Sequence, residues 1–218
     1  MEIIKTVDLK KSFTNQTVKT EVLKGINISI NKGDFTGIVG PSGSGKTTLL
    51  YCLSSLETIT AGNVFFMGKD ISKYSEIELA NLRKYSLGFV FQFYNLIPNL
   101  TVYENVLLPK IIANKKEDNI ESILETVGML NYKDYYPNQL SGGMQQRVAI
   151  ARALVNEPTI IFADEPTGNL DQKNGLEIMK ILKKLNKEKD ITVILVTHNE
   201  DYLEFCNKKI HLIDGRTS

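Results

Sequence analysis

The sequence predicts an α/β domain with a mostly parallel sheet, an antiparallel β subdomain at its N-terminal end and an inserted helical lobe. Short apolar runs alternate with helical patterns in residues 35–91 and 157–213, as in parallel strands covered by helices. Before residue 31, apolar and polar residues alternate one by one, which is typical of half-buried antiparallel strands. Between about residues 100 and 156 the apolar residues recur mainly at spacings of three and four, which predicts helices.

The N-terminal alternation predicts strands with one buried face. Its apolar members are Val7, Leu9, Val18, Val22, Ile26, Ile28 and Ile30. Asn31-Lys32-Gly33 supplies the turn into the next strand.

The remaining elements follow in chain order. We expect strands at residues 35–39, 64–67, 87–91, 159–163, 191–196 and 208–213. We expect helices after Thr47, from about Ser75, within 100–128, and at 142–156, 176–185 and around Tyr202 and Phe205. Ser75 can cap its helix, and Ile77, Leu79 and Leu82 would face the core.

We therefore expect a single domain over residues 1–218. Its core and β subdomain would occupy residues 1–94 and 157–218, and the helical lobe would occupy about 95–156.

The composition argues against several classes of protein. Lys and Arg number 26 against 25 Asp and Glu, so the basic field of a nucleic-acid-binding protein is missing and no nucleic-acid partner is expected. Neither an N-terminal signal core nor a run of 18 apolar residues occurs, so any membrane role would come through a partner. Cys52 and Cys206 both fall in predicted helices, and we expect them to be buried free thiols.

Residues 40–47, Gly-Pro-Ser-Gly-Ser-Gly-Lys-Thr, fit the phosphate-loop pattern G-x-x-x-x-G-K-[ST]. A predicted strand precedes the loop and a predicted helix follows it, which is the setting that the motif needs. Gly43 and Gly45 allow positive φ, so that successive N–H groups can surround an anion. The helix adds the positive end of its dipole. The loop therefore predicts a nucleotide site in a P-loop NTPase core.

Two side chains of the loop have individual roles at the predicted nucleotide site. The Lys46 ammonium would reach the β- and γ-phosphates, and the Thr47 hydroxyl would be a ligand of Mg²⁺. The residues expected to hold the nucleotide phosphates here are Gly40, Ser42, Gly43, Ser44, Gly45, Lys46, Thr47 and Thr48.

A second candidate site for chemistry is the pair Asp164 and Glu165, which directly follows the apolar run 159–163. Ligands of doubly wound sheets bind beyond the carboxyl ends of the strands, so these acids should face the phosphate loop. Asp164 would hold Mg²⁺, through water, and Glu165 would orient and deprotonate the attacking water.

Ser141-Gly142-Gly143 opens another predicted helix. Ser141 can cap this helix, and the glycines permit close backbone approach, which makes a second anion site at a helix N-terminus. Either each anion site binds its own ligand, or two copies of the chain share one ligand between the two kinds of site. A serine cap followed by flexible glycines would also explain this stretch in isolation.

Taken in order, these motifs resemble those of the nucleotide-binding subunits of ABC transporters over essentially the whole chain. The matching stretches are the phosphate loop, Gln92, Leu140-Ser141-Gly142-Gly143, Asp164-Glu165, Gly168-Asn169-Leu170-Asp171 and His198. Residues 88–92, 95–98, 104–106 and 163–171 are similar to the branch that serves macrolide export, lipoprotein release and antimicrobial-peptide resistance.

The resemblance implies further roles, residue by residue. Phe13 stands where the family stacks an aromatic ring, more often tyrosine, on adenine. Gln92 stands where the family contacts Mg²⁺ and the attacking water and senses the membrane partner. Asp171 stands where the family links two sites across a dimer, and His198 where it contacts the γ-phosphate. Met144 replaces the usual glutamine, and its thioether is only a weak hydrogen-bond acceptor.

The resemblance also implies an activity and partners. It predicts an ATPase that uses ATP and Mg²⁺, forms a homodimer on ATP binding and drives a separate integral-membrane permease that exports or extracts a hydrophobic or peptide-like substrate. The subunit would be cytoplasmic, peripheral on the inner face of the cell membrane through the permease, and an extracytoplasmic adaptor could join through the same permease.

Three alternatives remain at the level of sequence. The same branch includes ATPases that transmit mechanical signals or sense peptides without transport. A chromosome-maintenance ATPase would need a long coiled coil between Gln92 and Ser141, where only 48 residues lie. A small-molecule kinase would explain the phosphate loop but would leave Ser141-Gly142-Gly143 and Asp171 without a role.

Overall fold

The computed structural model describes residues 1–15 and 18–217. The strands are β1 (Glu2–Asn15), β2 (Val18–Ile26), β3 (Ser29–Asn31), β4 (Phe35–Val39), β5 (Ala61–Phe66), β6 (Lys69–Asp70), β7 (Leu87–Phe91), β8 (Ile160–Asp164), β9 (Thr192–Val196), β10 (Lys208–Ile213) and β11 (Arg216–Thr217). The helices are α1 (Lys46–Leu53), α2 (Glu76–Ser86), α3 (Val102–Ile112), α4 (Ile120–Thr126), α5 (Gly142–Leu154) and α6 (Gln172–Lys189). Short 3-10 helices lie at Ile71–Lys73, Leu130–Tyr132, Pro137–Gln139 and Glu200–Phe205.

The chain divides into two compact units. The first unit contains Met1–Asn81 and Thr192–Ser218, and the second contains Leu82–Ile191.

An antiparallel sheet forms the N-terminal part of the first unit, as the alternating pattern predicts. Its strands lie in the order β2-β1-β5-β6, and β3 also pairs with β1. The burial of Leu9, Ile26 and Ile30 agrees with the predicted inward face.

The same alternation is wrong for Val7 and Val18, whose side chains are 41% and 65% exposed. Next to Val7, Asp8 has φ 48°, and the pairing of β1 with β5 shifts register after Val7. A bulge of this kind redirects neighbouring side chains to the other face of a strand. The third strand β5 pairs with β1 only as far as Lys10, so Val18 lies where β1 and β2 pair without it.

Parallel strands form the rest of the first unit's sheet structure. β4 pairs in parallel with β10 on one side and with β9 on the other. Every residue of β4 and β9 is buried, which explains why both strands are continuous apolar runs in the sequence. The short β11 is antiparallel to β10.

The second unit contains the parallel pair β7 and β8 and the helices α3 to α6. These strands pair from Leu87 opposite Ile160 to Phe91 opposite Asp164. Helix α5 packs against β7 and against α3, α4 and α6. The predicted helical stretch 100–128 is two helices, α3 and α4, with a connection between them. Among the described residues, no helix is long and apolar enough to cross a membrane.

The expected second helix is α2, and its cap is confirmed. The Ser75 hydroxyl accepts a hydrogen bond from the Glu78 N–H at 3.4 Å, and Glu78 Oε2 accepts one from the Ser75 N–H at 2.8 Å. Leu79 is buried as predicted, but Ile77 is 76% exposed. Ile77 lies two residues before Leu79, which places it ~200° away around the helix axis. The two side chains therefore cannot share one face.

Both cysteines are thiols, as expected. Cys52 is buried in α1, and burial raises the pKa of its thiol to about 12. The prediction for Cys206 is wrong, because this residue follows the 3-10 helix Glu200–Phe205 and is only half-buried.

Candidate functional site

The glycines of the phosphate loop lie where another residue would clash or have a strained backbone. Gly40 follows the buried strand β4 directly, and a Cβ on it would lie 2.0 Å from the Leu212 carbonyl oxygen. Gly43 and Gly45 have φ of 78° and 101°, in the region that favours glycine. The predicted strand-loop-helix arrangement is therefore formed.

The Lys46 ammonium group lies at the loop itself. It donates hydrogen bonds to the carbonyls of Gly40 at 2.8 Å and Pro41 at 2.9 Å. Within the described part of the chain, no side chain caps the N-terminus of α1, and the first turn of this helix carries no acidic residue. The uncompensated helix dipole and the lysine charge together make this end of α1 attractive to an anion.

Ser44 places an unusual polar atom inside the same loop. Its side chain is 3% exposed, and its hydroxyl oxygen has no hydrogen-bond partner among the described residues. A buried hydroxyl of this kind costs free energy unless a ligand completes its hydrogen bonding. The loop is thus chemically incomplete at the position where a phosphate oxygen is expected.

Phe13 presents an aromatic surface on β1. Its side chain is 42% exposed, and the Lys11 Nζ atom lies 4.7 Å from the ring centroid. Lys11 is itself buried and is held by the Glu57 carboxylate at 2.6 Å and the Thr58 carbonyl at 2.7 Å. The ring is therefore supported by a fixed cation while part of its surface remains open.

His198 lies at the same edge of the first unit's parallel strands as the phosphate loop. β4 and β9 pair in parallel up to Ile38 opposite Val196, so the residues that follow both strands emerge together. The imidazole of His198 is exposed there.

In the second unit, Gln92 and Glu165 emerge side by side in the same way. Phe91 and Asp164 are opposite each other at the carboxyl ends of β7 and β8. Asp164 is 9% exposed, and Glu165 has a φ of 47°, which is rare for a residue with a long side chain. Strained backbone of this type is found at functional sites more often than elsewhere.

Residues 168–171 return to Gln92. The Gln92 side-chain amide donates to Asn169 Oδ1 at 3.1 Å, and the Asn169 amide donates to the Gln92 main-chain carbonyl at 3.0 Å. A Cβ at Gly168 would lie 2.9 Å from Gln92 Nε2, so a side chain at residue 168 would displace the Gln92 amide from this position.

Ser141 caps α5, as predicted. Its hydroxyl accepts a hydrogen bond from the Met144 N–H at 3.4 Å, so the Met144 contact with the cap is made by the backbone. Gly142 and Gly143 are closely covered: a Cβ on the first would lie 2.7 Å from the Tyr94 hydroxyl, and one on the second 2.9 Å from Asn174 Oδ1.

Asp171 caps α6 next to the Ser141 loop. Its carboxylate accepts hydrogen bonds from the Asn174 N–H at 2.8 Å and from the Asn174 side-chain amide at 2.6 Å. These two bonds, the backbone one first, hold the pKa of Asp171 below its ordinary value. Asn174 therefore connects Asp171 to Gly143.

The structure thus assembles the predicted residues in two groups. Phe13, the phosphate loop and His198 belong to the first unit, and Gln92, Ser141–Gly143, Asp164, Glu165 and Asp171 belong to the second. Four residues that were not predicted from the sequence contact these site residues: Lys11, Asn169, Asn174 and Tyr94. The contact of Arg152 with Tyr94 was not predicted either. Only Asn169 carried a sequence signal, since it lies within the quoted motif of residues 168–171.

Comparison with known proteins identifies the family of this chain. The family model described as ABC transporter matches residues 23–168. The chain belongs to the ABC transporter family. It is 43% identical over 220 residues to the bacitracin export ATP-binding protein BceA of Halalkalibacterium halodurans, covering 99% of this chain and 87% of that protein. It is 40% identical over 218 residues to the lipoprotein-releasing system ATP-binding protein LolD of Geobacter metallireducens, covering 98% of this chain and 97% of that protein.

A solved structure of an ABC cassette has the same fold. The dimeric post-hydrolysis state of the ATP-binding cassette MJ0796, bound to ADP and Pi, superposes with a TM-score of 0.91 at 40% identity, covering 99% of this chain and 97% of that chain. The predicted α/β fold and the resemblance to the macrolide, lipoprotein and antimicrobial-peptide branch are confirmed. This ABC transporter subunit binds ATP and is an ATPase whose hydrolysis is coupled to transport.

Proposed function

We propose that this ABC subunit dimerises on ATP and drives a separate integral-membrane permease, and that the complex exports or extracts a hydrophobic or peptide-like substrate. The proposed dimer rests on one observation: the N-termini of α1 and α5 can both attract an anion, and they belong to different units. Of these two N-termini, only that of α1 carries a lysine. If residues 141–143 of one copy bind the nucleotide held by the phosphate loop of a second copy, one ligand occupies both helix N-termini. The names of the relatives BceA and LolD support the class of substrate.

The phosphate loop would bind the nucleotide phosphates through its backbone N–H groups. The Lys46 ammonium exchanges its two carbonyl partners for phosphate oxygens, which bear more negative charge. The buried Ser44 hydroxyl gains the hydrogen-bond partner that it lacks among the described residues. Gly40, Ser42, Gly43, Gly45, Thr47 and Thr48 complete the cradle, and the open surface of Phe13 stacks on the adenine ring.

The residues proposed for Mg²⁺ fit that ion. The Thr47 hydroxyl, the Gln92 amide oxygen and the Asp164 carboxylate are hard oxygen donors, which Mg²⁺ prefers. Gln92 Nε2 donates a hydrogen bond to Asn169, so the Gln92 amide oxygen is the atom of this side chain that remains for a cation. When bound with ATP, the ion would neutralise charge on the phosphates.

Glu165 would act as the general base for hydrolysis. Its carboxylate takes a proton from water, the water oxygen attacks the γ-phosphorus, and the bond to the β–γ bridging oxygen breaks to release ADP. His198 contacts the γ-phosphate and stabilises the charge that develops on it.

In the proposed dimer, the Ser141, Gly142 and Gly143 backbone N–H groups approach the γ-phosphate bound by the partner copy. Asp171, the N-cap residue of α6, links the two composite sites. Hydrolysis removes the γ-phosphate contacts and loosens the interface, which couples the chemistry to motion.

The permease would dock on the segment that follows Gln92. Phe93 is 72% exposed and Ile97 is 40% exposed, although both belong to an apolar stretch. Such a patch is typical of an interaction site. Docking there makes the subunit peripheral to the inner face of the cell membrane, and an extracytoplasmic adaptor would join only through the permease.

The dimer is tested by size-exclusion chromatography of three proteins. Glu165→Gln should elute as a dimer with ATP, because the variant hydrolyses ATP slowly and the γ-phosphate persists. With ADP, which has no γ-phosphate, it should elute as a monomer. Adding Ser141→Arg should abolish the dimer and retain ATP binding, since the long side chain blocks the approach of phosphate to the backbone. Adding Ser122→Arg, on an exposed serine of α4, is the matched control and should leave the dimer intact.

Two results would contradict the composite site. One is a Glu165→Gln protein whose oligomeric state is the same with ATP and ADP. The other is ATP-dependent dimerisation of the Ser141→Arg double variant at the concentrations that suffice for its parent.

A further inference from the structure

Residues 93–98, which follow Gln92 and which we call the docking segment, have a backbone that is held under strain. Tyr94 and Asn95 have φ of 44° and 51° in succession. Asparagine tolerates this region, but for a bulky residue such as tyrosine it is unfavourable. The surrounding structure must therefore impose the conformation.

Arg152 of α5 is the residue that imposes it. Its guanidinium group donates to the Tyr94 carbonyl at 2.7 Å and to the Asn95 carbonyl. A charged group that is largely removed from water needs such partners, and here the partners are the two strained residues. A further bond, from Gln146 Nε2 to the Phe91 carbonyl at 3.2 Å, attaches the middle of α5 just before Gln92.

The side chain of Tyr94 reaches the other end of the same helix. Its hydroxyl lies against the Gly142 backbone, so closely that a Cβ there would be 2.7 Å away. Real Cβ contacts are not found at that distance, so a side chain at residue 142 would force the Tyr94 hydroxyl to move. Tyr94 thus touches α5 at its start through the hydroxyl and near its end through the carbonyl.

From this arrangement we propose that Tyr94, held by Arg152, is a positioning residue that makes the docking segment move together with the Ser141 end of α5. The inference rests on the proposed function, in which Ser141 approaches the partner's ATP and the docking segment contacts the permease. A displacement of Gly142 towards a nucleotide cannot leave the tyrosine hydroxyl in place, and the Arg152 bonds pass that displacement to the backbone of residues 94 and 95.

A suppressor experiment tests the contact directly. In the Glu165→Gln background, Gly142→Ala should weaken ATP-dependent dimerisation about tenfold or more, because the new methyl group displaces Tyr94. Adding Tyr94→Phe removes the hydroxyl that the methyl group meets and should restore dimerisation to within about threefold of the Tyr94→Phe protein alone. Tyr135→Phe, at another partly exposed tyrosine of the same unit, is the matched control and should not rescue Gly142→Ala.

Hydrogen exchange measured by mass spectrometry tests the transmission. ATP should slow amide exchange in residues 93–98 of the Glu165→Gln protein, and Tyr94→Phe should remove that response while residues 141–145 still respond. Without nucleotide, Gly142→Ala should already speed exchange in residues 93–98, so this arm does not depend on dimerisation. Arg152→Lys, which keeps the charge but cannot bond both carbonyls in a fixed geometry, should speed exchange in the same residues.

The outcomes separate this inference from the proposed function. If the Glu165→Gln parent does not dimerise on ATP, the proposed function fails, and the exchange of Gly142→Ala without nucleotide still decides the Tyr94 contact. The inference is overturned if Tyr94→Phe does not rescue Gly142→Ala. It is also overturned if residues 93–98 respond to ATP equally in the parent and in Tyr94→Phe.

Discussion

Gln92 and Asn169 exchange two hydrogen bonds: each side-chain amide is a donor, and the acceptors are Asn169 Oδ1 at 3.1 Å and the Gln92 main-chain carbonyl at 3.0 Å. The second bond identifies the nitrogen of the Asn169 amide, so its oxygen can only face the Gln92 NH₂ group. The Gln92 amide is thereby oriented, with its oxygen directed away from Asn169.

Asn169→Leu, which has a similar size but forms no hydrogen bond, should disorder the Gln92 amide. We expect kcat to fall about tenfold, the scale of losing one hydrogen bond that positions a reacting group, with the KM for ATP within about twofold. Steady-state kinetics against both ATP and Mg²⁺ measure this. In a Gln92→Ala background the same substitution should have no additional effect, and additive losses would contradict the orienting role.

Glu165→Gln should reduce ATP hydrolysis by roughly 10²- to 10⁴-fold, the usual contribution of a positioned general base. ATP binding should be retained, as measured by equilibrium titration with a fluorescent analogue. Glu188→Gln, on an exposed carboxylate of α6, is the control and should have normal turnover. Near-normal turnover of the Glu165 variant would remove this residue from the mechanism.

Cysteines introduced at exposed positions of residues 93–99 should cross-link to the permease. Cysteine at Phe93, which is 72% exposed, or at the exposed Asn99 should cross-link to the permease in a functional complex. Cysteine at the exposed Leu176 on α6 is the control position and should not cross-link. If neither position captures the permease, the permease binds to a different surface of the subunit.

The two native thiols should differ in reactivity as a function of pH. Burial raises the pKa of Cys52 to about 12, so between pH 7 and 9 its thiol stays protonated, and the thiolate that reacts with iodoacetamide is not formed. Labelling of the folded protein should therefore occur at the half-buried Cys206 and be absent after Cys206→Ser. Peptide mass spectrometry identifies the labelled residue, and denatured protein, in which both thiols react, provides the control.

The pKa of Asp171 is lowered by its bonds to Asn174, so their contribution to folding is complete above the ordinary carboxyl pKa and is lost as the pH falls. Acid should therefore loosen the start of α6 before it affects the buried strands.

The sequence by itself determined the chemistry of this protein, because each chemical role depends on a local pattern. The phosphate loop needs only glycines and a lysine at fixed spacing between a strand and a helix, and the buried strands are readable as apolar runs. The order of the motifs along the chain was sufficient to indicate the family, which the match over residues 23–168 confirms.

Only the tertiary structure decided which residues support the chemical ones. Asn169 is far from Gln92 in the chain, and Arg152 is far from Tyr94, and no spacing rule connects such pairs. The exposure of Val7 was likewise beyond the pattern, since the bulge in β1 depends on how β1 pairs with β5. Helix geometry prevents Ile77 and Leu79 from sharing a face, but the packing of α2 decided that Leu79 is the buried one. Local patterns record the groups that bind and react, whereas the contacts that orient those groups form only when distant segments pack together.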